Sequence, residues 1–166
     1  MILYHPFSDA HHCIYRLLSI LNAIETPISQ KRLQIMDFYY LFPSQLKKIN
    51  KWPRRGSRLS LFVNDIPDQY ENILNNKRIF FELKDIQDNT IKHLLSKDLI
   101  IVDSKEMLII NEKNVPEVFF NIIGDDSFIK SRVFEVITKE LIKIKFNGEN
   151  GLKDKSGLLE FTYDII

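Results

Sequence analysis

A single cysteine, Cys13, cannot close an intramolecular disulfide, so no covalent staple frames this chain and a reducing interior suits it. Glycine is also scarce, five in 166 residues. The segment that concentrates it, GENGLKDKSG, lacks the GxxxxGK[ST] spacing by which a loop cradles phosphates, which excludes an ATPase of that kind. No apolar run approaches the roughly 18 residues of a membrane-spanning helix. The start, MILYHPFSDAHH, has neither the basic opening nor the apolar core of a signal peptide. These absences lead us to expect a cytoplasmic protein without a membrane partner.

There is no overall surplus of charge either: the formal net charge is +1, and only its distribution is informative. Residues 1–66 hold nine Lys/Arg against four Asp/Glu, and residues 67–166 fourteen against eighteen, so a surplus of five precedes a deficit of four. That split suggests two faces with different partners.

What is present is apolar mass. Hydrophobic residues make up 45% and charged residues 27%, enough to build a core and too apolar for a disordered chain. The length suits one domain over 1–166. Asp9 is a plausible N-cap for HHCIYRLLSILNAIE, whose Ile14, Leu17, Leu18, Leu21 and Ile24 form a helical stripe before Pro27 ends it. Ser29 caps a second helix, QKRLQIMDFYYLF, with Ile28 placed to staple onto Leu33. Pro43 can open a short third helix, completing a helical part over 1–50.

Asp68 and Glu71 make a capping box before QYENILNN. Further on, a helix around Ile91, Leu94 and Leu95 feeds two strands, LIIV and MLII, about the turn Asp103–Glu106. This helix-wing part covers 67–123 and ends in VPEVFFNIIGDD, read as a connection. A long helix then follows Ser127 through 127–146, with Phe128, Val133, Val136, Ile137 and Leu141 on one stripe. NGENGLKDKSG reads as a loop, and LLEFTYDII, within 156–166, as a possible docking strand. The fold class expected is mainly α with a small β-wing, an α+β, winged-helix-like single domain.

Candidate chemistry is thin. Asp9, His11, His12 and Cys13 crowd metal-capable groups, but neighbours on a helix diverge and cannot all meet one ion. His5 and His93 have no evident partner in the sequence. Pro67-Asp68 followed by Glu82-Leu83-Lys84 mimics a PD-(D/E)xK nuclease motif, with IFFELK as its strand, yet Asp68 is better explained as a cap. No catalytic residue, metal or cofactor is expected.

Two surfaces remain. NKWPRRGSRL carries the only tryptophan and no acid, and Lys47 and Lys48 precede it. Lys47, Lys48, Lys51, Arg54, Arg55 and Arg58 suit phosphates or an acidic protein surface, and Trp52 could stack on a base; the alternative is a solvated connection with Trp52 folded inward. In DFYYLFP, the residues Phe38, Tyr39, Tyr40 and Phe42 leave helix two apolar on every side, which requires cover all round, from core or from a partner.

YHPFSDAHHCIYRLLSIL, then I-xxx-RLQIMDFYYLFP, then KWPRRGSR together resemble the middle components of ABC-three-component systems, bacterial defence operons of the Lamassu type. The wording match covers the first sixty residues. The resemblance implies a non-catalytic adaptor between an SMC-like ABC ATPase that senses DNA and an effector, often a nuclease, with DNA reached through the complex. It brings no site residues of its own. The other readings are a winged-helix transcriptional regulator, for which TIKHLLSKDL carries few base-reading side chains, and the nuclease.

Overall fold

The computed structural model describes residues 9–69 and 75–160. Helix α1, Ala10–Ala23, starts where Asp9 accepts hydrogen bonds from the backbone N–H groups of His11 (2.8 Å) and His12 (3.2 Å). Helix α2, Gln30–Leu41, starts where Ser29 Oγ accepts from the N–H of Arg32 at 3.2 Å. Each side chain satisfies amide donors that a helix start otherwise leaves unpaired. Pro43 opens a 3₁₀ turn, Pro43–Lys48, as its position suggests.

From Arg32 to Tyr39 every residue of α2 is buried, so this helix is surrounded by its own chain. Cover comes from α1, from α4 (Asn76–Ser96) and from the irregular helical stretch Val136–Lys143. Phe38, fully buried, meets the rings of Tyr39 (5.3 Å), Phe42 (5.2 Å) and Phe80 of α4 (6.1 Å). A helix buried on all sides must also find partners for its polar groups, because an unpaired buried charge costs several kcal/mol. Asp37 receives Arg16 of α1 through two bonds, Nε to Oδ1 at 2.6 Å and Nη2 to Oδ2 at 3.1 Å, with both side chains fully buried. Gln87 Nε2 of α4 donates to Asp37 Oδ2 at 2.8 Å and to the Gln34 carbonyl at 3.1 Å. Burial pulls the Arg16 guanidinium down, but the charge and hydrogen bonds of Asp37 more than offset this and hold it above its ordinary value. Arg32 reaches the other way and donates to the carbonyls of Leu141 (3.3 Å), Ile142 (3.2 Å) and Ile144 (2.8 Å).

The hairpin follows α4. Strands β1 (Ile100–Val102) and β2 (Leu108–Ile110) pair antiparallel, with Ile101 opposite Ile109. Asp103 Oδ1 ties their turn by accepting from the N–H groups of Lys105 (2.8 Å) and Met107 (2.9 Å). On its other side β2 exchanges two bonds with Ile28, N to O at 3.0 Å and O to N at 2.7 Å. Ile28 therefore serves a sheet edge and the core.

Several expectations are corrected. IFFELK is not a strand but the first half of the 21-residue α4. Arg58–Asn64, unassigned from sequence, is helix α3, capped by Ser57. VPEVFFNIIGDD contains helix α5, Glu117–Asp125, not a mere connection. The long helix does not begin at Ser127: Asp126 holds a turn through the N–H groups of Phe128 and Ile129, and Ser131 caps α6, Arg132–Glu135. A π turn, Val136–Glu140, and a 3₁₀ turn, Leu141–Lys143, then replace regular helix. Thr138 Oγ1 donates back to the Phe134 carbonyl at 2.9 Å, a bond that distorts helices. The polar loop after it contains helix α7, Leu152–Ser156. LLEFTYDII opens as a 3₁₀ turn over Leu158–Glu160 rather than a strand, and its residues 161–166 lie outside the described residues. The capping box also involves Glu71, which lies outside them, as does His5.

A continuous cluster of buried residues runs through all of these elements, from Cys13 of α1 to Leu152 of α7 and Leu158.

Candidate contact surface

The basic stretch after the 3₁₀ turn is held at both ends. Ile49 is buried, and Trp52 is half-buried against the core, which supports the inward reading for that ring over a base-stacking one. The Trp52–Pro53 peptide is cis. Gly56 turns the chain at φ 79°, in the left-handed region that favours glycine, and Ser57 then caps α3. Helix α7 braces the other side: Asn50 N–H donates to the Lys155 carbonyl at 3.0 Å, while Lys155 Nζ donates to the carbonyls of Asn50 and Lys51, both at 3.3 Å.

Lys48, Lys51, Arg54, Arg55 and Arg58 are exposed on this braced loop, and among the described residues none of them lies in an ion pair. Lys47 differs, since its Nζ is 2.8 Å from Asp68 Oδ1, which lowers the Asp68 carboxyl through that hydrogen bond and charge. The patch outside ion pairs is therefore five exposed cations, with a sixth, Lys155, held beside them by its two carbonyl bonds. Sequence separation hid Lys155, and nothing in the sequence pairs residue 155 with residue 50. A fixed loop with several uncompensated cations is an electropositive platform, complementary to a polyanion.

The aromatic run divides. Phe38 and Tyr39 are core, with exposures of 0% and 2%. Tyr40 and Phe42 are half-buried, Tyr40 packing on Phe128 at 4.6 Å and Phe134 at 6.0 Å. The cover that helix two requires thus comes from within the chain.

The remaining candidates are occupied with structural tasks. Asp9 caps α1, and His12 Nδ1 lies 2.8 Å from Arg16 Nη1; an arginine can only donate, so that nitrogen accepts. Cys13 is fully buried, and burial, reinforced by the charge of Asp37, pushes its thiol up to about 11. Among the described residues no group of three His, Cys, Asp or Glu is placed to hold a metal. Of the nuclease-like set, Asp68 pairs with Lys47 and Glu82 with Arg78 at 3.0 Å on α4, and His93 stands exposed on the same helix. An open groove of about 440 Å³ between α2 and α4 has one carboxylate, Asp88, which accepts from Gln30 at 2.9 Å and Gln34 at 2.7 Å. Among the described residues no helix is long and apolar enough to cross a membrane.

No curated protein and no solved structure matches this chain. A family model does, over residues 2–164, which is nearly the whole length. The chain belongs to the family described as ABC-three component (ABC-3C) system Middle Component 5.

Proposed function

We propose that this chain is a non-catalytic adaptor of a Lamassu-type defence complex in the cytoplasm, joining an SMC-like ABC ATPase that senses DNA to an effector, often a nuclease. Family membership establishes a middle component, hence a system with other components. The observation that carries the adaptor reading is the braced electropositive platform of Lys48, Lys51, Arg54, Arg55, Arg58 and Lys155. It offers a charged contact surface braced by helix α7. Its counterpart is a polyanion, either an acidic surface of the ATPase or DNA held by the complex.

The order of elements supports a winged-helix-type framework: α1, the Ile28 bridge, α2, then α4 and the β1–β2 hairpin, with β2 between Ile28 and β1. SMC-type ATPases elsewhere take winged-helix subunits at their heads, an analogy of fold only. The same order also favours the runner-up, a DNA-binding regulator. However, the exposed side of α4 mixes Lys77, Arg78, Lys84, Asn89, Lys92 and His93 with Glu82 and Asp85, and its one arginine is paired with Glu82 at 3.0 Å, which is poor ground for reading base edges.

Reversing three charges, Arg54→Glu, Arg55→Glu and Arg58→Glu, tests the platform. Surface changes of this kind are expected to leave stability within about 0.5 kcal/mol per site, since none removes a buried contact. Assembly with the neighbouring subunits, DNA engagement by the complex, or both should fall at least tenfold. Unchanged assembly, DNA binding and phage protection in the triple variant would refute the contact role.

A further inference from the structure

Helix α5 leaves two large apolar side chains in water beside its polar residues. Of its nine residues, EVFFNIIGD, only Phe119 is buried, where its ring meets Tyr15 of α1 at 5.9 Å. Val118 and Ile122 are 60% and 53% exposed. Four residues apart, they stack on one face of the helix, and Asp125 continues the same row. Glu117 and Asn121 lie beside that row and are exposed with it. A surface helix ordinarily turns polar residues outward. This one presents an apolar pair edged by carboxylates.

The charge around the pair is one-sided. From Asn114 to Ile129 the chain holds Glu117, Asp125 and Asp126 and no Lys or Arg; Lys113 and Lys130 stand just beyond. Asp126 is engaged by the Tyr15 hydroxyl at 2.6 Å. Among the described residues Glu117 and Asp125 lie in no ion pair.

We infer that α5 is a docking face for a cationic amphipathic helix of a partner subunit, whose apolar stripe covers Val118 and Ile122 and whose Lys or Arg residues meet Glu117 and Asp125. This rests on the adaptor reading and gives the adaptor its second surface, opposite in sign to the basic platform. Charge complementarity selects the occupant. Two copies of this chain meeting through α5 would oppose carboxylate to carboxylate. A second copy could instead offer α3, where Leu61 is 64% exposed near Arg58, but that head-to-tail contact leaves a free face at each end and hides the platform. An anionic membrane is repelled by the same carboxylates.

The test uses the full chain co-expressed with the other subunits of its system. A photo-crosslinking amino acid replaces Ile122, and crosslinked peptides are identified by mass spectrometry. In parallel, Val118→Ser/Ile122→Ser and Glu117→Lys/Asp125→Lys are compared with the unaltered chain for subunit affinity, each checked for an unchanged thermal melt as the free chain. The expected result is a crosslink to a Lys/Arg-flanked apolar helix of another subunit, an affinity at least tenfold lower in both double variants, and wild-type affinity that weakens as salt rises. A crosslink to Arg58–Leu61 of a second copy, or a crosslink to no subunit, overturns the inference, as does unaltered affinity in folded variants. If the unaltered chain binds no subunit, the adaptor reading itself fails, which is a separate outcome.

Discussion

Removing one member of the buried pair that joins α1 to α2 should damage this protein more than removing both. Arg16 and Asp37 are each 0% exposed and joined by two bonds, and Gln87 adds a third donor to the same carboxylate. Asp37→Ala leaves the guanidinium buried without its counter-charge and strips Gln87 Nε2 of one acceptor. Breaking a buried pair in this way costs about 3–5 kcal/mol. For a chain of this size each kcal/mol moves the melting temperature by about 2–4 °C, so a fall of roughly 6–20 °C is expected. The double variant Arg16→Met/Asp37→Leu removes both charges while keeping apolar volume, and such exchanges are often neutral or stabilising. It should recover most of the loss, short of about 1 kcal/mol for the amide of Gln87, which keeps only the Gln34 carbonyl as acceptor. Urea denaturation of the three proteins, followed by circular dichroism, gives the free energies directly. A loss below about 1 kcal/mol in Asp37→Ala, or a double variant less stable than that single one, would refute the reasoning.

Two other expectations concern ionisable groups. Cys13, buried and with its thiol pushed up to about 11, should resist thiol reagents at pH 8 in the folded protein and react fully in denaturant; rapid labelling of the native chain would contradict its placement. Burial raises the Asp126 carboxyl, but the Tyr15 hydroxyl, the N–H groups of Ile129 and Phe128 and the nearby His12 outweigh it, leaving the group below its ordinary value. A depressed carboxyl stabilises the fold above its unfolded pKa and loses that contribution as pH falls through the folded one. Tyr15→Phe should therefore cost a few tenths to about 1 kcal/mol at pH 7, a partly exposed contact being screened. The gap to the unaltered protein should begin to narrow below about pH 4 and go on closing as pH falls through the folded value, and a gap unchanged from pH 7 to 3 would show that Asp126 is not the cause.

Local signals read well from the sequence, because caps act over three residues: Asp9, Ser29 and Pro43 each begin the element expected of them. The hairpin about Asp103 was equally legible from its two apolar runs and polar turn. Contacts across long separations were not. The Arg16–Asp37–Gln87 network spans α1, α2 and α4 and has no local mark, though a lone acid within DFYYLF hints that something must neutralise it. Helix α5 escaped notice because it is short: nine residues, opened by Pro116 and closing in the Gly124-Asp125-Asp126 stretch, read as a turn-bounded connection. The break at Ser131 was masked by the apolar spacing from Phe128 onward, which suits continuous helix. For the contact surface, composition marked five of its six cations outside ion pairs, and only folding brings Lys155 beside the carbonyls of Asn50 and Lys51.

The adaptor role requires that this chain joins other subunits. Its most direct test is affinity purification of the tagged chain co-expressed with its operon neighbours, followed by mass measurement of the eluted species. The adaptor account expects a complex of defined stoichiometry containing an SMC-like ATPase and an effector, lost or weakened by the Arg54, Arg55 and Arg58 reversals. Elution of the chain alone, with its neighbours expressed and soluble, would contradict it.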